Sequence, residues 1–467
     1  MRLSHDPLKT SARFDDPNLV SRAGLVPVMG LAERAGLFAL TGEHLTVSDP
    51  CGANAAVKVG CLVAGMAAGA DSIDDMEVLR HGAMPVVFDG VRAPSTLGSF
   101  LRSFTWGNAL QLGKVNRLLL AELARRADLL PGAGKLAFVD VDSTQRRVYG
   151  HAKQGAAFGH TKIQGKTVLV RGLNALAATI CTPRAAPVIA ATRLRGGNAS
   201  SARGAARLIA EAVHTAQDAG CTGTVVVRMD SAYYSAAACH AARRAGALFS
   251  VTARLDPAVK AAIASIDEAG WTPIKYPRAI WDEQLNRWIS DAEVAEVKYT
   301  AFASKKGQAI TARLIVRRVR DLSPKALAGQ GELFPMWRYH AVFTDSPFVL
   351  LQAEKQHRHH AVIEQVFADL TSGPLAHAPS GVFAANAAWL ALAAIAHNLT
   401  RAAGTLASAR HARARGATIR ADLIDVAARI ARHGRGHLTL HLPEAWHRLA
   451  EWMNLFGAGC GSPVPAA

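Results

Sequence analysis

The sequence has few cysteines, and none of them form a paired pattern. Six occur among 467 residues, with no CxxC pair. Structural zinc sites and disulfide frameworks both need cysteines at characteristic spacings, so neither a zinc ribbon nor a disulfide-held scaffold is indicated. A reduced, cytosolic setting fits such a chain better than an oxidising one, and we expect a cytoplasmic protein.

Long hydrophobic runs are also missing. The most apolar stretch, Ala384 to Ala396, is interrupted by Asn386. It is shorter than the roughly 20 residues that a membrane-crossing helix needs. The N-terminal residues carry acids early and no apolar segment, so we expect no signal peptide. Membrane association is therefore not expected, and no internal repeat is found.

Acidic residues are the third deficit. The chain has 36 Asp and Glu against 53 Lys and Arg, a formal net charge of +17. A balance this basic indicates a polyanionic partner, nucleic acid first and an anionic membrane surface second. The apolar share of 50% excludes wholesale disorder. At about 150 residues per domain, the length allows roughly three domains.

The N-terminal part, residues 1–130, is dominated by short helical patterns. They end at the turn cluster PGAGK, which predicts a domain boundary. Short helices in a basic chain are typical of DNA-binding modules of the helix-turn-helix type, so we predict a helical DNA-end-binding domain. A helical packing or dimerisation domain is the alternative.

The rest of the chain predicts a mixed α/β fold. From Lys135 to Leu255 the sequence predicts strands, among them LAFVDVD and QRRVYGH, and then a long helix capped by Ser200 or Ser201. A strand ending at Asp230, a helix beginning at Ser231 and a further strand follow. An aromatic, alternating segment then interrupts this order and predicts a β-rich insertion. The predicted divisions are a core, the insertion, the second part of the core with the Glu364 helix, and a basic C-terminal region: 131–256, 257–345, 346–402 and 403–467. Eight Arg between Arg401 and Arg435 indicate a phosphate-binding footprint or a solvated basic face.

Three sites in the sequence carry acids where chemistry is possible. Asp140 and Asp142 share one face of the strand LAFVDVD, because side chains two apart on a strand point the same way. Asp230 ends a second strand, and Glu364 lies in a helix. Carboxylate oxygens are ligands suited to Mg²⁺, and two such ions can assist phosphoryl displacement. The alternative for a strand-end Asp is a turn or helix-capping role.

Three motifs carry a resemblance to a known family: VDVDST from Val139, VVRMDSAYYS from Val226 and HRHHAVIEQVFADL from His357. From about Gly24 to Arg401 the chain resembles DDE-type insertion-sequence transposases, most like the thirteen-eighty family. The resemblance implies an RNase H-like core with a β-rich insertion. It also selects Asp142 over Asp140, and it implies that Asp142, Asp230 and Glu364 are the catalytic, metal-binding acids.

The function that the resemblance implies is Mg²⁺-dependent DNA transposition with two ions, for which Mn²⁺ should substitute. The protein would bind terminal inverted repeats in double-stranded DNA and hydrolyse a phosphodiester at each end. The freed 3′-OH would then attack target DNA, and a homodimer would hold the paired ends. An RNase H-like nuclease without strand transfer and an inactive, transposase-derived repressor are the alternatives.

Several basic residues are predicted to contact DNA. Arg358 is expected to grip a phosphate beside the scissile one, or else to pair with Glu354 one turn away. His357 and His360 stand where the family has Tyr and a basic residue, and the family's Lys is Thr371 here. The sequence predicts one helix from Gln352 to Leu370, on which His357, His360 and Glu364 share a stripe. A phosphate-facing donor set is favoured over a zinc site for these histidines. The remaining predicted contacts are Arg228, Arg317 and Arg318.

Overall fold

The computed structural model describes residues 1–48, 50–150, 152–163, 166–277, 279–321 and 336–461. Its helices are α1 (Leu25–Arg34), α2 (Leu37–His44), α3 (Ala55–Ala67), α4 (Met84–Val87), α5 (Pro94–Arg102), α6 (Trp106–Ala127), α7 (Ala205–Asp218), α8 (Ala236–Arg244), α9 (Pro257–Ala264), α10 (Leu350–Arg358), α11 (Ile363–Thr371), α12 (Phe383–Ala407), α13 (Gly416–Ile419) and α14 (Leu449–Cys460).

Its strands are β1 (Leu19–Val20), β2 (Leu136–Arg147), β3 (Ala157–Ile163), β4 (Lys166–Cys181), β5 (Val188–Gly196), β6 (Thr224–Met229), β7 (Leu248–Thr252), β8 (Thr272–Pro273), β9 (Ile280–Asp282), β10 (Arg287–Ile289), β11 (Ala292–Ala301), β12 (Ile310–Arg320), β13 (Trp337–Thr344), β14 (Ala428–Arg432) and β15 (Leu438–His441). The predicted mixture of helices and strands is thus confirmed.

One large mixed sheet organises the fold. Its strand order is β3-β4-β2-β6-β7-β13-β12-β11-β8, and β5 pairs with β4 beside β3. The neighbours β2, β6 and β7 are parallel, and the other pairs of this sheet are antiparallel. The parallel strands are buried and rich in Val and other apolar residues, as strands covered on both faces are. Strands β11 to β13, from the predicted insertion, extend this same sheet.

Helix α12 forms the centre of the helical layer. It is apolar on all sides and buried along most of its 25 residues, as expected of a helix enclosed by protein. It contacts α6, β5, α3 and α14, so residues from both ends of the chain share the largest hydrophobic cluster. No single helix of the described residues is long and apolar enough to cross a membrane, although α1 and α2, bent by 52°, pass that test as a pair.

Several element boundaries differ from those predicted. The strands predicted at LAFVDVD and QRRVYGH are one strand, β2, because β4 pairs with it continuously from Phe138 to Arg147. The helix predicted from Gln352 to Leu370 is divided into α10 and α11 by a 3₁₀ turn at His359–Val362. Helix α7 begins after Gly204, whose φ of 77° favours glycine, and not after the predicted serine caps.

The helix predicted to begin at Ser231 is also interrupted. Ser231–Tyr233 form a 3₁₀ turn capped by Asp230, and α8 begins only after Ser235, whose side chain accepts a hydrogen bond from the Ala238 amide. The predicted domain boundaries stay predictions. Parts of the predicted insertion, 322–335, and of the predicted C-terminal region, 462–467, lie outside the described residues.

Two buried asparagines join the helical layer to the sheet. The Asn398 side chain accepts from the Ile189 amide at 2.7 Å and donates to the Ile189 carbonyl at 2.8 Å and to Asn116 Oδ1 at 2.9 Å. Asn116 Nδ2 donates to the carbonyls of Ile189 and Ala190 at 3.1 and 3.3 Å. These bonds satisfy the backbone of β5 where its pairing with β4 shifts register. The asparagine side chains thus supply hydrogen-bond partners to backbone groups of β5 in place of bonds to a neighbouring strand.

Replacing Asn398 by Ala should therefore destabilise the protein strongly. The change removes the side-chain partner of the buried Ile189 amide and of Asn116 Oδ1, and one of two side-chain partners of the Ile189 carbonyl, which should cost roughly 2–4 kcal/mol. Urea unfolding followed by circular dichroism measures the loss. Asn454→Ala is the matched control, because that exposed side chain makes one bond, to the Ala407 carbonyl. Equal stability of the two variants would contradict this account of β5.

Candidate active site

Two of the predicted acids lie directly after the parallel pairing of β2 with β6. The β2–β6 ladder pairs Asp140 with Arg228 and then Val141 with Met229, so Asp142 and Asp230 are the next residues along. Both lie on the face that carries Asp140 and Arg228, because side chains alternate along a strand. Asp142 Oδ1 accepts from the Ser143 amide at 2.7 Å, and Asp230 Oδ1 accepts from the Ala232 amide at 2.9 Å. The capping role considered for Asp230 is therefore real, but it occupies one carboxylate oxygen.

The third predicted acid, Glu364, lies near enough to Asp142 to affect its pKa. Glu364 lies in the first turn of α11 and is exposed. Burial raises the pKa of Asp142 to about 6, and the nearby carboxylates of Asp230 and Glu364 push it in the same direction. The hydrogen bond from Ser143 and the charge of His360 oppose that rise. We call Asp142, Asp230 and Glu364 the acid trio.

The acid trio fits a divalent cation in donor type and charge. Its oxygen ligands are those that Mg²⁺ takes, and the raised pKa of Asp142 shows that its negative charge is incompletely balanced. Among the described residues, no three His, Cys, Asp or Glu side chains are gathered closely enough to make a ready-formed ion site. The structure thus brings compatible donors into one region without assembling them into a cage.

Asp140 has a different environment, which separates it from its neighbour two residues on. It is fully buried, and Arg228 binds both its oxygens, with Nε–Oδ1 and Nη2–Oδ2 distances of 2.7 Å. His360 Nδ1 lies 2.9 Å from Oδ1, and Cys181 Sγ lies 3.5 Å from Oδ2. Burial raises the pKa of Asp140, but Arg228 and His360 outweigh it and hold the pKa below the usual range. Both oxygens of Asp140 are therefore engaged by side chains, whereas Asp142 receives one backbone hydrogen bond, at Oδ1.

Arg228 and His357, two predicted DNA contacts, lie inside the protein. Arg228 is 1% exposed and also donates from Nη1 to the Gln356 carbonyl at 2.6 Å. His357 is buried with its ring nitrogens each 2.9 Å from a hydroxyl, those of Ser250 and Thr252, and burial lowers its pKa to about 3. Neither side chain offers a surface to a phosphate in this structure. The 3₁₀ turn after α10 also removes the single helical stripe on which His357, His360 and Glu364 were expected.

The predicted contacts in the insertion are paired as well. Arg318 is 5% exposed, lies between the rings of Trp271 and Trp337 at 4.2 and 4.4 Å, and bonds to Glu268 and Glu293. Arg317 Nη1 donates to Glu354 at 2.6 Å. Such cation–π and ion-pair contacts stabilise the strands that carry these side chains.

Arg358 adopts the alternative considered for it. Its Nε donates to Glu354 at 2.9 Å, one turn earlier on α10. Glu354 is buried and already accepts from Arg317. Because the Arg358 side chain is 34% exposed, the pair leaves part of the guanidinium accessible.

The basic C-terminal region is partly neutralised within the fold. Arg401 is buried and donates to the carbonyls of Ala412 and Ala414. Arg410 bonds to Asp422, Arg415 to Asp369 and Arg429 to Asp16. Arg432 is exposed at the end of β14. Fewer arginines of this region are therefore available to bind phosphate than their number suggests.

Asp142 yields a prediction about stability and pH. Its folded pKa of about 6 lies above the unfolded value, so its ionised form destabilises the fold above pH 6. The isosteric change Asp142→Asn should therefore raise the free energy of unfolding at pH 8, without divalent ions, by about 2 kcal/mol. The advantage should shrink as the pH falls from 6 towards 4, because the wild-type carboxyl then becomes protonated when folded.

Urea unfolding at several pH values measures that difference. Asp218→Asn, a change at an exposed acid on α7, is the control and should shift stability little at any of them. A stability of Asp142→Asn at or below that of the wild type at pH 8 would show that the Asp142 carboxylate is not strained.

Comparison with known families identifies the family of the chain. The family model described as Transposase DDE domain group 1 matches residues 5–456, a span that contains the acid trio and nearly the whole chain. No curated protein matches the chain. A match over so much of the sequence shows the family: the chain belongs to the DDE transposases of group 1.

Proposed function

We propose that this protein is a Mg²⁺-dependent DNA transposase that cleaves the ends of an insertion sequence and joins them to target DNA. The observation that carries the proposal is the position of Asp142 and Asp230 directly after the parallel pairing of β2 and β6, with Glu364 near enough to help raise the pKa of Asp142, in a chain of this family. The closer assignment to the thirteen-eighty family is part of the proposal.

The sheet topology supports an RNase H-like catalytic core. Strands β5, β4 and β2 form an antiparallel set, and β6 and β7 continue the sheet parallel to β2, with α7 and α8 as their connections. In open α/β sheets, ligands bind outside the carboxyl ends of the strands. Asp142 and Asp230 follow that rule: Asp230 directly follows the last residue of β6, and Asp142 lies one residue beyond the point where β2 stops pairing with β6.

We assign the acid trio to hold the divalent ions, two in number, with Mn²⁺ able to replace Mg²⁺. Bound ions would supply the positive charge that an in-line phosphoryl displacement needs at its attacking and leaving oxygens. The chain's own residues orient those ligands: Ser143 and Ala232 amides each hold one oxygen of Asp142 and Asp230, which directs the remaining oxygen of each carboxylate.

The partner in this proposal is double-stranded DNA, at the element ends and at the target. Holding two ends together requires at least two copies of the chain, so we propose a homodimer in the complex with paired ends. A substrate of this kind would place the protein at the nucleoid in a bacterial cytoplasm.

Removing any acid of the trio should abolish cleavage and spare end binding. Asp142→Ala, Asp230→Ala and Glu364→Ala remove ion ligands, whereas binding depends on basic contacts elsewhere, so cleavage should fall by roughly 10³-fold or more. Gel-shift and cleavage assays on terminal inverted-repeat DNA with Mg²⁺ measure both. The control is Asp218→Asn, which should cleave like the wild type.

The same assays separate the proposal from its rivals. A wild-type protein that cuts but never joins ends to target DNA is a nuclease. One that binds ends and never cuts them in Mg²⁺ or Mn²⁺ is a repressor. Full cleavage by Asp142→Ala would remove Asp142 from the proposed site.

Arg358 is the basic residue for which we keep a DNA contact. Its pairing with Glu354 engages Nε, and the accessible part of the guanidinium lies six residues before Glu364. If it grips a phosphate bidentately, Arg358→Lys should slow cleavage by roughly tenfold with stability unchanged, because Lys lacks the planar fork. Single-turnover cleavage and urea unfolding measure the two effects.

His359→Ala, a change at the next and exposed residue, is the control for that substitution. Cleavage at the wild-type rate by Arg358→Lys would reduce Arg358 to its ion pair with Glu354.

A further inference from the structure

Behind the acid trio lies a second set of charged residues that the proposed reaction does not use. We call Asp140, Arg228 and His360 the buried network. Arg228 binds both oxygens of Asp140 at 2.7 Å, and His360 Nδ1 lies 2.9 Å from Asp140 Oδ1. Arg228 also donates to Gln356 in α10 at 2.6 Å. The network therefore ties together β2, β6 and the turn that follows α10.

Each member of the buried network stands a short, fixed distance before one member of the acid trio. Asp140 precedes Asp142 by two residues, Arg228 precedes Asp230 by two, and His360 precedes Glu364 by four. Two residues along a strand span about 6.7 Å and keep the same face. Four residues across a 3₁₀ turn into a helix span about 6–8 Å. Each set therefore has one member on β2, one on or directly after β6, and one on the segment that leads from the 3₁₀ turn into α11. The two sets form two layers, one above the other.

The strands and the helix turn are joined differently at this point. A backbone ladder holds β2 to β6, so Asp142 and Asp230 have a fixed separation. The turn at His359–Val362 is instead attached to β2 and β6 through side chains. Hydrogen bonds from His360 to Asp140 and from Arg228 to the Gln356 carbonyl attach it to β2 and β6, and His357 bonds to Ser250 and Thr252 on β7. Apolar contacts of Ile363 and Phe367 with Ala177 on β4 support the same attachment.

We propose that the buried network positions Glu364 relative to Asp142 and Asp230, with His360 as the positioning residue that closes it. The inference rests on the proposed function, because it concerns the ion site that the acid trio forms. His360 acts through Asp140 and touches neither substrate nor ion. Its donor at Nδ1 holds the turn against β2, and the turn sets where α11 begins and where Glu364 lies.

The geometry separates this role from a direct DNA contact. A positioning role uses the Nδ1 position of His360, which faces Asp140. A phosphate contact by the same residue would use the opposite ring nitrogen, Nε2. Asn places its amide nitrogen near the Nδ1 position and has nothing at the Nε2 position. His360→Asn should therefore preserve positioning and would remove a phosphate contact.

The experiment compares the full-length wild type with His360→Ala, His360→Asn and the control His359→Ala. The His360 side chain is 13% exposed and bonded to the buried Asp140, so urea unfolding first checks that each variant remains folded under the assay conditions. Mn²⁺ affinity is measured by titration without DNA, end binding by gel shift and cleavage by single-turnover assay. We expect His360→Ala to lose roughly tenfold or more in both Mn²⁺ affinity and cleavage rate, with end binding unchanged. His360→Asn should recover most of both losses.

Two results would overturn the inference. The first is wild-type Mn²⁺ affinity in His360→Ala. The second is a His360→Asn variant that does not recover the Mn²⁺ affinity and also binds DNA ends more weakly than the wild type. The metal titration also distinguishes this inference from the proposed function. If the wild type binds Mn²⁺ in a His360-dependent way but cuts no DNA, the positioning role stands and the transposase proposal fails.

Discussion

The buried ion pair between Asp140 and Arg228 is the contact on which the proposed active site depends. The side chains of Asp140 and Arg228 are 0% and 2% exposed, and removing their charges from water is costly. Their bidentate contact and further hydrogen bonds offset that cost. The pair links two parallel strands at the level just before they end. Breaking it would leave one charge unpaired in the core and would disturb the two strand ends that carry Asp142 and Asp230.

The same pair explains how two acids on one strand face acquire different properties. Asp140 is held ionised by Arg228 and His360, and it has no oxygen left for another ligand. Asp142 receives one backbone hydrogen bond, and burial with two neighbouring carboxylates raises its pKa. One carboxylate is thereby structural, and the other is left with the unbalanced charge that a divalent ion can neutralise. Stability is given up at the site that we propose to bind the ion, as is common in active sites.

How far the sequence predicts the structure depends on the range of the interaction. Apolar stretches from Ala53 to Ala68 and from Phe383 to Ala402 predict α3 and α12, and the strand that Asp230 ends predicts β6, because these patterns act over a few residues. The break between α10 and α11 and the burial of Arg228 and Arg318 were not predicted, because each depends on partners far away in the chain. One signal was available: R-x-D in β6 beside D-x-D in β2 places opposite charges in register on adjacent parallel strands. No sequence signal identifies Cys181 as a neighbour of Asp140.

The central claim is that Asp142, Asp230 and Glu364 form one divalent-ion site. Iron-mediated backbone cleavage tests it most directly, because Fe²⁺ bound in place of Mg²⁺ generates radicals that cut only the nearby chain. The account predicts three clusters of cuts, around residues 142, 230 and 364, all suppressed by excess Mg²⁺ and all lost together in Asp142→Asn. Cuts at only one of these segments, or a pattern centred elsewhere in the chain, would contradict it.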